Sequence, residues 1–230
     1  MNLFQCTALA SAVVCLASCS TDDEPSAPAE TASVKVMHAA PFNKAKIDAL
    51  LGSANLGNVE YGQRTRSYVS APLADGVITL RSISTQVPVY RVTQPVHPDT
   101  LYSVFVYNPT VSTVAAVLTN DSKAPASGVN QALIRLANFG FDAGSVTLRA
   151  QETGASPLSP PAGYGVVGPF VAVDARPYVL EVRDASGAVL ASQSLSAAAE
   201  GVYTVLLRGR NAPAAPADER LTVDLIKNLE

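Results

Sequence analysis

Tyr178-Val179-Leu180-Glu181-Val182-Arg183 alternates: Tyr178, Leu180 and Val182 fall on one side of an extended chain, with Glu181 and Arg183 on the other. A repeat of two residues is the signature of a strand with one buried face. Asp184-Ala185-Ser186-Gly187 follows, before a second apolar run, and reads as a hairpin connection. The same alternation stands near the start of the chain in Val34-Lys35-Val36-Met37-His38, where Val34, Val36 and His38 share a face. From residue 33 onward, short runs of Val, Leu, Ile, Thr and Tyr are cut by Pro, Gly, Asn and Asp every ten residues or so, as in all-β sandwiches and barrels. Only Lys44 to Leu51 has the composition of a helix, and a short one.

The pattern occurs twice, at an offset of about one hundred residues. Val34-Lys35-Val36-Met37-His38 corresponds to Ile134-Arg135-Leu136-Ala137-Asn138, and Tyr61-Gly62 to Tyr164-Gly165. Ile78-Thr79-Leu80-Arg81 matches Leu180-Glu181-Val182-Arg183, and Tyr102-Ser103-Val104-Phe105-Val106 matches Tyr203-Thr204-Val205-Leu206-Leu207. A last strand closes each copy, Thr113 to Thr119 and Leu221 to Lys227. The expectation is two tandem immunoglobulin-like β-sandwich domains, residues 33–119 and 131–230, joined by a linker over 120–130 that lacks apolar periodicity.

The chain has 230 residues, 48% hydrophobic and 15% charged, with a formal net charge of −3 and three cysteines. That apolar fraction excludes a disordered chain, and three cysteines exclude a disulfide scaffold. The charge supplies no footprint for nucleic acid.

Residues 7–18 form an uncharged apolar run of signal-peptide length, too short to span a bilayer. The n-region, Met1 to Gln5, carries no Lys or Arg. Leu16-Ala17-Ser18-Cys19 resembles the lipobox of bacterial lipoproteins. That resemblance implies cleavage of residues 1–18 and acylation of Cys19, with palmitate among the chains that anchor it. Ser20 after the cysteine resembles the pattern directed to the outer membrane. Cys6 and Cys15 leave with the signal, so no thiol chemistry remains. Residues 19–32 are then the acylated cysteine and a disordered tether, small, acidic and proline-bearing.

His38-Ala39-Ala40-Pro41, Ile47-Asp48, Gly52, Tyr61-Gly62, Tyr68 and Gly76 before Val77-Ile78-Thr79-Leu80 resemble, in that order, the motifs of the bacterial family called domain of unknown function 4397. The resemblance is closer in the first copy; in the second, Asn138-Phe139-Gly140 replaces His-Ala-Ala-Pro. It implies an exported β-sandwich protein, often lipid-anchored, and it carries no activity to any position.

The chemistry-bearing residues are few. Gly163, Gly165 and Gly168 satisfy G-x-G-x-x-G, but Pro160 and Pro161 precede them and Pro169 follows, so no helix offers its N-terminal amides to a pyrophosphate. No cofactor is expected. His38 has Asn138 as its counterpart, and a hydrogen bond to the following loop accounts for both, whereas a base or metal ligand accounts for one. His97 reads as a turn residue, and no metal site assembles.

Tyr61-Gly62-Gln63-Arg64-Thr65-Arg66-Ser67-Tyr68 mixes aromatic rings and cations. As ligand contacts, Arg64 and Arg66 would grasp an anionic group between the Tyr61 and Tyr68 rings. As a strand end, the arginines would be solvated and the rings packed, which suits Tyr164 and Phe170 with no arginine between them. The leading expectation is a non-catalytic, lipid-anchored cell-envelope protein of binding, adhesive or structural type, held to the membrane through Cys19, with an envelope protein or glycan as partner. A carbohydrate-binding surface module is the alternative. An enzyme with a site between the domains is the least supported reading.

Overall fold

The computed structural model describes residues 29–73, 76–124, 128–152 and 154–229. The signal segment, Cys19 and most of the tether lie outside the described residues, as do residues 125–127 of the expected linker. Within the described chain the protein is all-β, built from sixteen strands and two short 3-10 turns. No described helix is long and apolar enough to cross a membrane.

The first eight strands are β1 (Thr31–His38), β2 (Ile47–Leu51), β3 (Ala54–Val59), β4 (Val69–Pro72), β5 (Ile78–Ser82), β6 (Pro88–Val92), β7 (Leu101–Tyr107) and β8 (Ala115–Asn120). They form two four-stranded sheets, β4-β1-β7-β8 and β3-β2-β5-β6, with Val34, Val36, Ile47, Leu51, Leu80, Val104 and neighbours buried between them. The second eight are β9 (Gln131–Phe141), β10 (Val146–Ala150), β11 (Val166–Val167), β12 (Val171–Asp174), β13 (Pro177–Asp184), β14 (Val189–Ser196), β15 (Val202–Arg210) and β16 (Thr222–Leu229). These make a five-stranded sheet, β11 and β12 with β9, β15 and β16, packed on the three-stranded β10-β13-β14 around Leu136, Leu148, Leu180, Val182 and Val205.

The repeat read from the sequence is also a repeat of register. β1 runs parallel to β7 with Val34 beside Tyr102, and β9 runs parallel to β15 with Ile134 beside Tyr203. β5 pairs with β2 in the first sandwich as β13 pairs with β10 in the second. Both Tyr-Gly turns hold the glycine at positive φ, +79° at Gly62 and +74° at Gly165. Each glycine N–H donates to the equivalent carbonyl, His38 O or Asn138 O, at 2.8 Å. Glycine meets that left-handed conformation without the penalty a Cβ brings.

Three expectations are corrected. Thr31 and Ala32, expected in the tether, open β1 opposite Pro72 and Ala71, because Ala32 has the sandwich core to bury in. Asn120 to Lys123, expected in the linker, end β8 and form a 3-10 turn, because Asp121 is buried against Arg135. Residues 44–51 are not helical; Ile47–Leu51 is a central strand, hydrogen-bonded to β3 on one side and β5 on the other. Ile47, Ala49 and Leu51 alternate into the core, and Asp48 receives Arg81 Nη2 at 3.0 Å from the adjacent strand. The helix propensity of Ala and Leu is a fraction of a kcal/mol per residue, and pairing along both edges outweighs it.

The inner sheets of the two sandwiches also pack on each other. Met37, Ala39 and Phe105 from the first meet Ala137, Phe139, Leu206 and Ile226 from the second in a separate buried cluster. β1, β7, β9 and β15 are therefore covered on both faces, and their burial runs on almost without alternation.

Candidate functional site

The seam between the sandwiches holds most of the buried polar chemistry. Its centre is apolar, with Phe105 and Phe139 stacked at 5.2 Å between ring centroids. At one end, Arg135 on β9 places Nη2 2.7 Å from Asp121 Oδ1, and the two side chains are 3% and 0% exposed. Arg135 Nε donates to Thr204 Oγ1 at 2.8 Å, and its guanidinium lies 4.4 Å over the Phe170 ring. Asp121 also accepts from Ser103 Oγ, Tyr68 Oη and, at 3.0 Å, Asn228 Nδ2. Lys35, at the register position equivalent to Arg135, sits 4.4 Å over the Tyr68 ring and donates to Lys227 O at 2.9 Å. Burial, reinforced by the Asp121 charge, raises the Tyr68 hydroxyl well above the usual tyrosine range. A buried ion pair whose carboxylate also accepts from three side chains fixes a register and leaves little to offer a substrate.

The other end is aromatic and cationic. Arg208 lies 5.1 Å over Tyr61, and Arg210 4.6 Å over Phe42, which meets Phe141 edge to face at 4.8 Å. Lys44 bridges Asp218 and Glu219 at 2.7 Å each. The contact is reciprocal: the Tyr61-Gly62 turn packs against Arg208, and the Tyr164-Gly165 turn against Tyr107, its register equivalent.

The candidate ligand contacts are thus divided. Tyr61 belongs to the aromatic end of the seam and Tyr68 to the Asp121 end, while Arg64 and Arg66 are exposed. No contact joins the four among the described residues. His38 is buried and accepts from Ala40 N at 3.3 Å, as Asn138 accepts from Gly140 N at 3.2 Å. The space beside His38 is about 10 Å³, the room of one water. His97 is exposed and takes part through its backbone, its N–H donating to Tyr102 Oη at 3.1 Å. Gly163 and Gly165 precede β11 and Gly168 follows it, and Gly165 N and Gly168 N donate to Asn138 O and Leu136 O at 2.8 Å. Among the described residues no group of His, Cys, Asp and Glu is placed to hold a metal.

Burial holds His38 neutral by lowering its pKa from 6.5 to about 4, against the smaller opposing pull of the Ala45 and Asn43 carbonyls. Between those values the unfolded chain binds a proton that the folded chain refuses, so stability falls as pH drops through 6.5 toward 4. The full loss is about 3 kcal/mol at 1.36 kcal/mol per pKa unit. Urea titrations across this window are expected to show that slope in the wild type and a shallower one in His38→Asn. An unchanged slope would refute it.

Two surface features escaped the sequence. A trough of about 470 Å³ on the second sandwich is lined by Gln151, Glu152, Pro177, Val179, Ser194 and Ser196, from three different segments. A cavity of about 310 Å³ opens between the sandwiches beside Thr119, Asn120, Arg135 and Phe170. Its only ionisable lining group, Arg135, is the one paired with Asp121. The one available signal was a cation at the same place in both copies, Lys35 and Arg135, inside otherwise apolar strands.

Comparison with known proteins adds a family and distant structural likenesses. The family model described as domain of unknown function (DUF4397) matches residues 32–149. No curated protein matches. Among solved structures, the C-terminal domain of AlgF from P. aeruginosa is 17% identical, with a TM-score of 0.32, over 43% of this chain and 99% of that one.

Proposed function

The chain belongs to the DUF4397 family, and from that premise we propose a lipid-anchored cell-envelope protein of non-catalytic type, a binding, adhesive or structural module tethered through Cys19. The observation that carries this reading is what the buried polar groups touch. Asp121, Arg135, Tyr68 and Asn228 join one sandwich to the other, and His38 is buried, neutral and without room for a substrate. Two sandwiches locked face to face make a stiff body, which suits presentation of a surface at the end of a tether.

Growth with labelled palmitate tests the anchor. Label is expected to enter the wild type and to be absent from Cys19→Ala, which should be found in the soluble fraction. Equal labelling of both proteins would defeat the reading, as would none in either.

The trough favours a second reading, glycan recognition. Amide, carboxylate and hydroxyl groups at Gln151, Glu152, Ser194 and Ser196 surround an apolar floor at Pro177 and Val179, a mixture that suits the two faces of a sugar. A glycan array probed with the full chain tests it, and a blank array removes it.

A further inference from the structure

The hydrogen-bonding edges of the sheets differ in how well they are guarded. β10 is flanked by a returning segment, where Ala162 exchanges bonds of 3.0 and 2.8 Å with Val146 and Leu158 N donates to Leu148 O at 2.7 Å. β6 carries Pro88 and Arg91, β3 faces a bulge at Ala49/Leu50, and β16 carries Asp224 and Lys227. β8 is partly buried along its whole length, and β4, β11 and β12 have four residues or fewer. Charges, prolines, bulges and short strands are the usual means by which an edge avoids pairing with another chain.

β14 has no charge and no proline, and its one bulge lies at its first residues, Val189 and Leu190. Val189-Leu190-Ala191-Ser192-Gln193-Ser194-Leu195-Ser196 is eight residues long, uncharged, and free of Pro and Gly. Among the described residues its ladder is made to β13 alone, and Ser192, Gln193 and Ser194 are exposed. Its register on β13 is regular from Ala191 to Ser196 and shifts only beyond, where Val182 gives way to Arg183.

We propose that β14 pairs with β14 of a second copy of this chain, antiparallel about a two-fold axis through Gln193, joining two three-stranded sheets into one of six strands. Residues opposite each other in an antiparallel pair point to the same side of the sheet, so a symmetric pair must be centred on a residue. Centring on Gln193 uses the regular stretch and sets Ala191 against Leu195, Ser192 against Ser194, and Gln193 against itself. Ala191, Gln193 and Leu195 then share one side, and serine pairs that can hydrogen-bond across the strands share the other. The strand suits itself in particular because it bears no charge: self-pairing opposes no like charges, and nothing on it selects a different partner by complementary charge. The axis also brings two troughs close together, since Ser194 and Ser196 line each. A shared membrane anchor would favour the pair by raising the local concentration of copies.

Light scattering on the full chain in detergent micelles is expected to give the mass of a dimer, and Ser194→Lys that of a monomer with unchanged circular dichroism. Self-association should weaken at least tenfold, because the two lysines would lie near the axis. In cells, Gln193→Cys is expected to form a disulfide-linked dimer, since directly opposed residues stand about 4.5–5.5 Å apart at Cα, within disulfide range. Val179→Cys, exposed on the same sheet but away from its edge, should not. A wild type that stays monomeric at about 100 µM overturns the proposal. So does a dimer that survives Ser194→Lys, or cross-linking at Gln193→Cys no greater than at Val179→Cys.

Discussion

Asp121→Ala is expected to lower the free energy of unfolding by about 3–5 kcal/mol, the range for removing one partner of a buried ion pair. The cost comes mainly from what stays behind. Arg135 would keep its charge in a site where it is 3% exposed, with Thr204 as its remaining polar partner and rings on either side. Ser103, Tyr68 and Asn228 would each lose the carboxylate they donate to. Arg135→Met should cost a comparable amount by orphaning Asp121. The double variant Asp121→Leu/Arg135→Met should cost clearly less than the sum of the two, because neither charge is then stranded. Denaturant titrations of the three variants measure this cycle. Single losses below about 1 kcal/mol, the range of exposed pairs, would show that the seam is hydrated and the network weak.

Phe139→Ala is expected to cost about 3–5 kcal/mol, as large-to-small changes at fully buried aromatic positions do. It should also change the form of the transition. Phe139 stacks on Phe105 and tilts against Tyr107 with 5.2 Å between centroids in each case, and both partners belong to the other sandwich. Removing the ring opens a cavity between the sandwiches rather than within either. Their coupling should weaken before either core does, and a single calorimetric transition in the wild type should split in two. Leu148→Ala, inside the second sandwich, should instead destabilise without splitting it. A Phe139→Ala chain that melts as one unit, with a loss under about 1 kcal/mol, would mean that the seam does not couple the halves.

The same seam marks how far the candidate site could be read in advance. Tyr61 and Tyr68 were legible as residues with a role, because aromatic rings at corresponding places in two copies imply packing. Their partners were not. Tyr68 bonds to Asp121, more than fifty residues on, in a stretch whose Asn, Asp, Ser and Lys read as a linker. Asp121 is instead fully buried, directly after β8. Linker composition reports what a residue does when solvated, and burial of Asp121 depends on Arg135 and Asn228, which reach it only in the folded chain. Arg64 and Arg66 are the reverse case. They are conspicuous in sequence, and they lie exposed.

The all-β class, the alternating strands at corresponding places and their duplication followed from the sequence by itself, though the central strand Ile47–Leu51 did not. Period-two alternation and glycine at the Tyr-Gly turns are local requirements, met by neighbouring residues and set by backbone sterics. Only the tertiary structure decided that the inner sheets are buried twice. A face that carries Lys35, Ser103, Arg135 and Thr204 reads as solvated, since leaving such groups unpaired in a dry interior costs several kcal/mol. It is buried here because each copy supplies what the other lacks: Asp121 for Arg135, and the Lys227 carbonyl for Lys35. One of these pairs spans the stretch between the two copies and the other joins residues 192 positions apart, so no single period of the sequence records them.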